Sequence, residues 1–376
     1  MRTSSQHILF IATEYESGMR PYARMIILTM WQPGDHVIVV AKDNQVKHDL
    51  DALPDDCVTW IDYPATKGGK ALFRLYPKPL IKAIDTVLQS HPMKLIYSLT
   101  GELVLASHIR RLQRRLPVLY TVHDAIHHDS HYESITSMLK EKVIVEWPQR
   151  RLLKATPLKI TNSHEQLAHL QRSYPGHSHY YAPFPSLVTD GIRQGGMRVP
   201  ELESIPRGYI LFFGNVQLYK GVHLLYEAYR SRPELHSRAL VIAGSGYIYF
   251  KRHGADDGVT FINRFIDDRE LNDLFTGASV VVYPYISATQ SGVTSIASYF
   301  DKPMVLSDLP FFKDTCSDCR GVQFFTHGDV PSLASALNRA LQSSTGTSEL
   351  YDRVYSPQAM REALNHVIAG IIDHSV

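Results

Sequence analysis

The sequence predicts an α/β protein of two tandem domains, each a doubly wound parallel sheet. Three observations predict it. Short apolar runs alternate with amphipathic stretches along the whole chain, the pattern of parallel strands and crossover helices. The 376 residues are more than one average core encloses. A segment rich in Gly, Pro and polar residues, Leu187 to Arg207, has no clear periodicity and divides the strands into two series, so it is expected to be a linker.

The first series contains "HILFIAT" (His7 to Thr13), "HVIVVA" (His36 to Ala41), "KLIYSL" (Lys94 to Leu99), "PVLYTV" (Pro117 to Val122) and "LKITNS" (Leu158 to Ser163). Helical stretches such as "KPLIKAIDTVLQSH", Lys78 to His91, lie between them. The second series reads "GYILFFG" (Gly208 to Gly214), "RALVIAG" (Arg238 to Gly244), "GVTFIN" (Gly258 to Asn263), "SVVVYPY" (Ser279 to Tyr285), "KPMVLS" (Lys302 to Ser307) and "GVQFF" (Gly321 to Phe325). A final helix, "PQAMREALNHVIAGIIDH", closes the chain. The expected domains are therefore 1–190 and 208–355, followed by a helix over 356–376 that crosses back to the first domain.

Composition narrows the function. Hydrophobic content of 44% and charged content of 20% are ordinary for a globular protein. A formal net charge of +2 and a pI near 8.3 are too mild to indicate a nucleic-acid partner. The opening apolar run is too short for a secretory signal and reads as a strand. No run approaches the roughly 20 apolar residues of a membrane span, so a cytoplasmic protein is expected. Three cysteines cannot build a disulfide framework, and the lone pair Cys316 and Cys319 reads as unpaired thiols without metal.

In doubly wound domains ligands bind at the carboxyl ends of the strands, and the cleft between two such domains is the expected active site. In "FFGNVQLYKGVHLLYEAY" a strand ends at Gly214 and Lys220-Gly221 opens a helix, which sets an ammonium beside free helix N–H groups. A solvated lysine on a turn is the bland alternative. "VIAGSGY" ends a strand in Gly244-x-Gly246, read as close backbone approach to a ligand or as a simple tight turn. "TEYESGMRPYARM" repeats the strand-to-helix theme with Gly18 and with Pro21 at the helix start. In "SATQSGVTSIASYF" a polar loop with one glycine precedes a helix; Thr289, Gln290 and Ser291 either contact ligand or cap that helix.

The order of these features resembles family-four retaining glycosyltransferases, two Rossmann-like domains facing a cleft in the arrangement called GT-B. The resemblance rests on "FFGNVQLYKG", "VIAGSG", "FINRFIDDRELNDLFTGASVVVYPY", the "SATQSGV" loop and "VLYTVHDAIHH". It makes 1–190 the acceptor-binding domain and 208–355 the nucleotide-sugar-binding one. It implies a UDP- or GDP-sugar donor and no cofactor, and because no D-x-D stretch of the metal-binding kind stands in a suitable loop, metal independence is expected. Gly18, Gly214, Lys220, Gln290, Ser291, Gly292 and Val293 would hold the donor diphosphate. Gly244 and the backbone of Asn263, Arg264 and Phe265 would meet the nucleotide; Ala288 and Thr289 would meet the donor sugar; His123 would stand beside that sugar as the catalytic candidate. A glycan or polyprenyl-linked acceptor in surface polysaccharide assembly is implied.

The chain departs from the family pattern at three positions. Asn215 stands where an arginine usually clamps the diphosphate, leaving Arg264 or Arg20 as substitutes. Ala288 and Ile296 stand where two glutamates usually occur, and the "SATQSGV" loop reads as a variant subgroup. An inactive partner subunit that binds sugar nucleotide is the alternative class, and a sugar-nucleotide epimerase ranks below both.

Two further clusters admit other readings. His123, Asp124, His127, His128, Asp129 and His131 suggest a metal site, against which stands the strand that precedes His123. The basic stretches "HIRRLQRRLP" and "EWPQRRLLKATPLK", with Trp147, are either solvated helix faces or a peripheral contact with the inner membrane.

Overall fold

The computed structural model describes residues 6–16, 19–100, 102–125, 147–252, 258–288, 291–343 and 345–373. Its contacts divide the chain into unit 1, Met1–Pro185 with Met360–Val376, and unit 2, Ser186–Ala359.

The described strands of unit 1 are β1 (His7–Ala12), β2 (His36–Ala41), β3 (Val58–Asp62), β4 (Met93–Ser98), β5 (Val118–Val122), β6 (Leu158–Thr161) and β7 (Ser178–Tyr181). They form one parallel sheet in the order β3-β2-β1-β4-β5-β6-β7. β2 is buried at every position, as expected of a strand covered on both faces. Helix α1 (Met19–Met30) follows β1 and buries Tyr22, Ile26, Ile27 and Met30. Helices α2 (Lys67–Leu75) and α3 (Lys78–Ser90) lie between β3 and β4. The helix Pro357–Asp373 carries Met360, Leu364, Ile368 and Ile371 into the core beside β1 and α1, and Arg361 Nε donates to the Thr29 carbonyl at 2.9 Å. The last helix thus completes the first core, as its apolar stripe requires.

Unit 2 repeats the scheme with β8 (Tyr209–Phe213), β9 (Leu240–Ala243), β10 (Val259–Ile262), β11 (Ala278–Tyr283), β12 (Met304–Ser307) and β13 (Val322–Phe325), in the order β10-β9-β8-β11-β12-β13. All neighbouring strands are parallel. In both sheets the chain winds outward, then returns to start again beside the first strand. The reversal lies between β1 and β4 in unit 1 and between β8 and β11 in unit 2. Such switch points open crevices at strand carboxyl ends.

The segment expected to be a linker is instead part of unit 2. Val188, Ile192, Val199 and Leu202 are buried in its core, and Thr189 caps the helix Asp190–Gln194 while donating to Asp268 at 2.6 Å. Asp273 accepts from Val199 N and pairs with Arg198 and Arg207. Its apolar residues dock singly onto the unit, so no periodicity marks them.

Candidate functional site

Unit 2 gathers most of the described candidate residues at its switch point. β8 ends at Phe213, and Gly214 N donates to the Ala243 carbonyl at 3.0 Å. A short turn over Leu218–Lys220 then leads to Gly221, which starts the helix Val222–Arg230. Gly221 is left-handed at φ +65°, and a Cβ there would lie 1.8 Å from the Pro284 carbonyl oxygen, so glycine alone fits. Ile286 N donates to the Tyr219 carbonyl at 2.8 Å, which further ties the loop after β8 to the loop after β11. No side chain caps the helix at Gly221, so its first N–H groups carry no side-chain acceptor.

Lys220 stands beside these groups. Its Nζ donates to the Tyr285 hydroxyl at 2.7 Å and lies 3.8 Å from the centre of the Tyr285 ring and 4.9 Å from that of Tyr219. Among the described residues it has no carboxylate partner. Burial lowers its pKa to about 7, because desolvation disfavours an unpaired ammonium. An anion placed there would supply a counter-charge and restore the cation.

Tyr285 extends the link to the quoted loop, since Ser291 hydrogen-bonds its hydroxyl. Ser291 and Gly292 are buried and Ala288 and Val293 half-buried; Gln290 and Thr289 lie outside the described residues. No side chain caps the helix Val293–Tyr299 at Gly292, so the capping alternative for Ser291 is not what the structure has. Ile296 is buried in the core of unit 2, which removes its side chain from any ligand role.

The glycines after β9 have another explanation than ligand approach. A Cβ on Gly244 would lie 2.1 Å from the Gly214 carbonyl oxygen at φ +138°. Gly244 is therefore required by the neighbouring strand end. Asn263 Oδ1 accepts from Gly246 N at 3.1 Å and Asn215 Oδ1 accepts from Ser245 Oγ at 3.3 Å, so two asparagines brace this turn. Phe265 and Tyr247 are 78% and 85% exposed beyond β10 and β9 and can offer ring faces to a base. Tyr247 is not among the residues that the family resemblance assigns, and its place directly after G-x-G is the sequence signal that marks it.

Neither substitute arginine is available to clamp a diphosphate. Arg264 makes paired hydrogen bonds with Glu201 at 2.8 and 2.9 Å and with Glu270 at 2.8 and 2.7 Å, and the two carboxylates raise its pKa further. In unit 1, Arg20 is bidentate to Asp49 at 2.6 and 2.7 Å. Both charges are already neutralised.

Unit 1 places His123 just after β5. Its Nε2 is 2.8 Å from the Leu99 carbonyl and so carries the hydrogen, and Tyr22 meets the ring edge-on at 4.6 Å. Its Nδ1 is buried and has no hydrogen-bond partner among the described residues. Gln166 holds this turn, donating to the His123 carbonyl at 2.8 Å and accepting from Ala125 N at 2.7 Å, and Gln149 donates to the Asp124 carbonyl. Nothing in local patterning marks these two glutamines, which reach the turn from later helices. Gly18 lies outside the described residues, as do His127, His128, Asp129 and His131. Among the described residues no three His, Cys, Asp or Glu side chains cluster to hold a metal, and no helix is long and apolar enough to cross a membrane.

Solved structures share this fold over nearly the whole chain. HepE from Anabaena, in complex with UDP and glucose, is 16% identical with a TM-score of 0.68, covering 97% of this chain and 100% of that one. Sucrose-phosphate synthase from Thermosynechococcus elongatus is 18% identical with a TM-score of 0.62, covering 98% and 97%. WaaG, a glycosyltransferase involved in lipopolysaccharide biosynthesis, is 15% identical with a TM-score of 0.58, covering 98% of each chain. The chain therefore has the two-Rossmann-domain fold of the GT-B glycosyltransferases. No curated protein sequence matches it. Residues 207–343, within unit 2, match the family model "Glycosyl transferases group 1".

Proposed function

We propose that the protein is a retaining, metal-independent glycosyltransferase of the family-four type, in the subgroup marked by the "SATQSGV" loop. It moves a sugar from a UDP- or GDP-linked donor to a glycan or polyprenyl-linked acceptor, in surface polysaccharide assembly. The observation that carries the reading is Lys220: a desolvated lysine with no carboxylate partner among the described residues, held beside an uncapped helix start at the switch point of the unit that matches the group 1 model. Departure of a nucleoside diphosphate develops negative charge, which an oriented ammonium and helix N–H groups stabilise without a metal ion. The UDP and glucose bound by HepE support a nucleotide-sugar donor. In His123, Nδ1 is the free acceptor for a sugar hydroxyl because Nε2 is committed to Leu99.

A donor screen that follows nucleoside diphosphate release tests this. Release that requires an acceptor, survives EDTA and disappears in Lys220→Ala is expected, with retained anomeric configuration in the product. Failure of every nucleotide to bind sinks the reading. The engagement of both Arg264 and Arg20 with carboxylates favours a second reading, an inactive subunit that binds sugar nucleotide, for which binding without turnover is the signature.

The site of work is the cytoplasmic face of the inner membrane. Trp147 is exposed with Arg151 over its ring at 5.4 Å, and Leu72, Leu75 and Tyr76 are exposed around the basic helix α2. Sedimentation with anionic but not zwitterionic vesicles is expected.

A further inference from the structure

Unit 1 contains a partly open cavity of about 110 Å³ at the carboxyl ends of β1, β2 and β3, lined among others by Glu14, Glu16, Lys42, Tyr63, Lys70 and Arg74. We propose that this cavity binds a phosphate-bearing carbohydrate, with Lys70 and Arg74 holding the phosphate. Only its description as the acceptor rests on the function proposed above.

The two cations are placed by the way α2 forms. Thr66 caps the helix by accepting from Gly69 N, and Phe73 is buried with its ring edge-on to Tyr63 at 5.4 Å between centres. With that stripe fixed inward, the i, i+4 residues Lys70 and Arg74 share the adjoining stripe and line the cavity. Like charges at that spacing repel, so an unpaired Lys–Arg couple on a wall of a cavity calls for an anion.

Their bonding differs from that of the third cation. Lys42 is paired with Glu16 and lies 5.7 Å from the Tyr63 ring centre, so its charge is met within the protein. The Lys70 backbone N–H donates to the Thr66 carbonyl in the first turn of α2, but its ammonium has no hydrogen-bond or ion-pair partner among the described residues. Arg74 gives only Nε, to the Tyr63 hydroxyl at 3.2 Å, which orients the guanidinium and leaves both terminal nitrogens for a ligand. A guanidinium fork with an ammonium beside it suits a tetrahedral phosphate with several acceptor oxygens. The same wall carries the carboxylates of Glu14 and Glu16, which accept hydrogen bonds from hydroxyls and would repel a bare polyanion. Unpaired cations and hydroxyl-accepting carboxylates lining one cavity suit a ligand that carries both a phosphate and hydroxyls.

Binding to the full-length protein is measured by calorimetry with glucose 6-phosphate, glucose and inorganic phosphate. Flotation is measured with phosphatidylcholine vesicles with and without polyprenyl phosphate sugar. The expected result is saturable binding of a phosphorylated sugar and none of glucose. Lys70→Gln and Arg74→Gln should each weaken it about tenfold, the loss expected of one charge-assisted contact. Lys82→Gln, on α3 and outside the cavity, should not. Retention of glucose 6-phosphate identifies a soluble source, and retention only of the vesicle-borne compound identifies a lipid-borne one. Binding of neither, binding unchanged in both variants, or inorganic phosphate bound as tightly as the sugar phosphate overturns the proposal. UDP titration of the same samples keeps the two readings apart: UDP binding without sugar-phosphate binding rejects this site alone, and the reverse rejects the donor site alone. Unchanged circular dichroism and UDP affinity in the variants show that they are folded.

Discussion

The two units reverse their strand order at equivalent points and put different chemistry there. Between β1 and β4, Leu99 N donates to the Ile11 carbonyl, Glu14 N donates to Thr100 Oγ1, and the Leu99 carbonyl receives His123 Nε2. These contacts are neutral, and the nearby cation Arg20 is neutralised by Asp49. Between β8 and β11, Gly221 packs on Pro284 and Lys220 rests on Tyr285 with no carboxylate partner among the described residues. The difference teaches that topology supplies the crevice while the loop residues set its charge. Among the described residues, the crevice of unit 2 combines an unpaired ammonium with an uncapped helix start.

The largest effect that would break this comparison is expected at Gly221. Gly221→Val sets a branched side chain against a backbone carbonyl in a left-handed conformation, and unit 2 should lose about 3 kcal/mol or more in denaturant unfolding, with UDP binding abolished. Normal stability and affinity would mean that the two loops are not coupled.

Lys220→Met comes next. It keeps the stem and removes the charge, so UDP affinity should fall about a hundredfold by calorimetry, the scale of a charge-assisted contact in a desolvated site, while the fold is retained. In unit 1, His123→Ala leaves the Leu99 carbonyl without its donor and should cost about 1–2 kcal/mol of stability. Turnover should be lost while UDP affinity is kept. A parallel loss of UDP affinity would contradict the assignment of diphosphate binding to unit 2.

Two pH effects sharpen the contrast. Lys220, lowered to about 7, is partly neutral at pH 8, and a bound diphosphate returns the proton; UDP binding should take up a proton above pH 7, seen as a buffer-dependent enthalpy that Lys220→Met removes. Lys159 in β6 is also lowered to about 7 by burial, at no exposure, among Thr156, His177 and Tyr174. Its folded pKa lies below the value of about 10.4 in the unfolded chain, so the unfolded state holds the extra proton between them. Stability should therefore rise with pH from about 7 toward 10 and carry the full penalty below 7. Lys159→Met should stabilise unit 1 most at pH 6 and flatten that rise.

Much of this was legible in the sequence, and the misses have causes. β2, β8 and β11 are continuous apolar runs because both faces are covered, and they were read within a residue or two. β3 and β7 went unnoticed: both are sheet edges, only partly buried, with "VTWID" and "SHYY" too short and mixed to stand out. The stretch 187–207 read as a linker because its buried residues follow no period. At the site, the strand, loop, lysine and helix start of "FFGNVQLYKG" follow from local pattern. The neutralisation of Arg264 does not, because Glu201 lies 63 residues away in the chain.

By itself the sequence determined the alternation of strands and helices, two series of them, and the loops at their carboxyl ends. Those properties arise within windows of a few residues, where periodicity and turn chemistry act. Only the tertiary structure decided that Gly244 answers to the backbone of Gly214, that Arg264 and Arg20 are neutralised, and that Lys220 is a desolvated cation. Charge pairing, desolvation and close approach depend on which distant segments meet, and no local window contains that information.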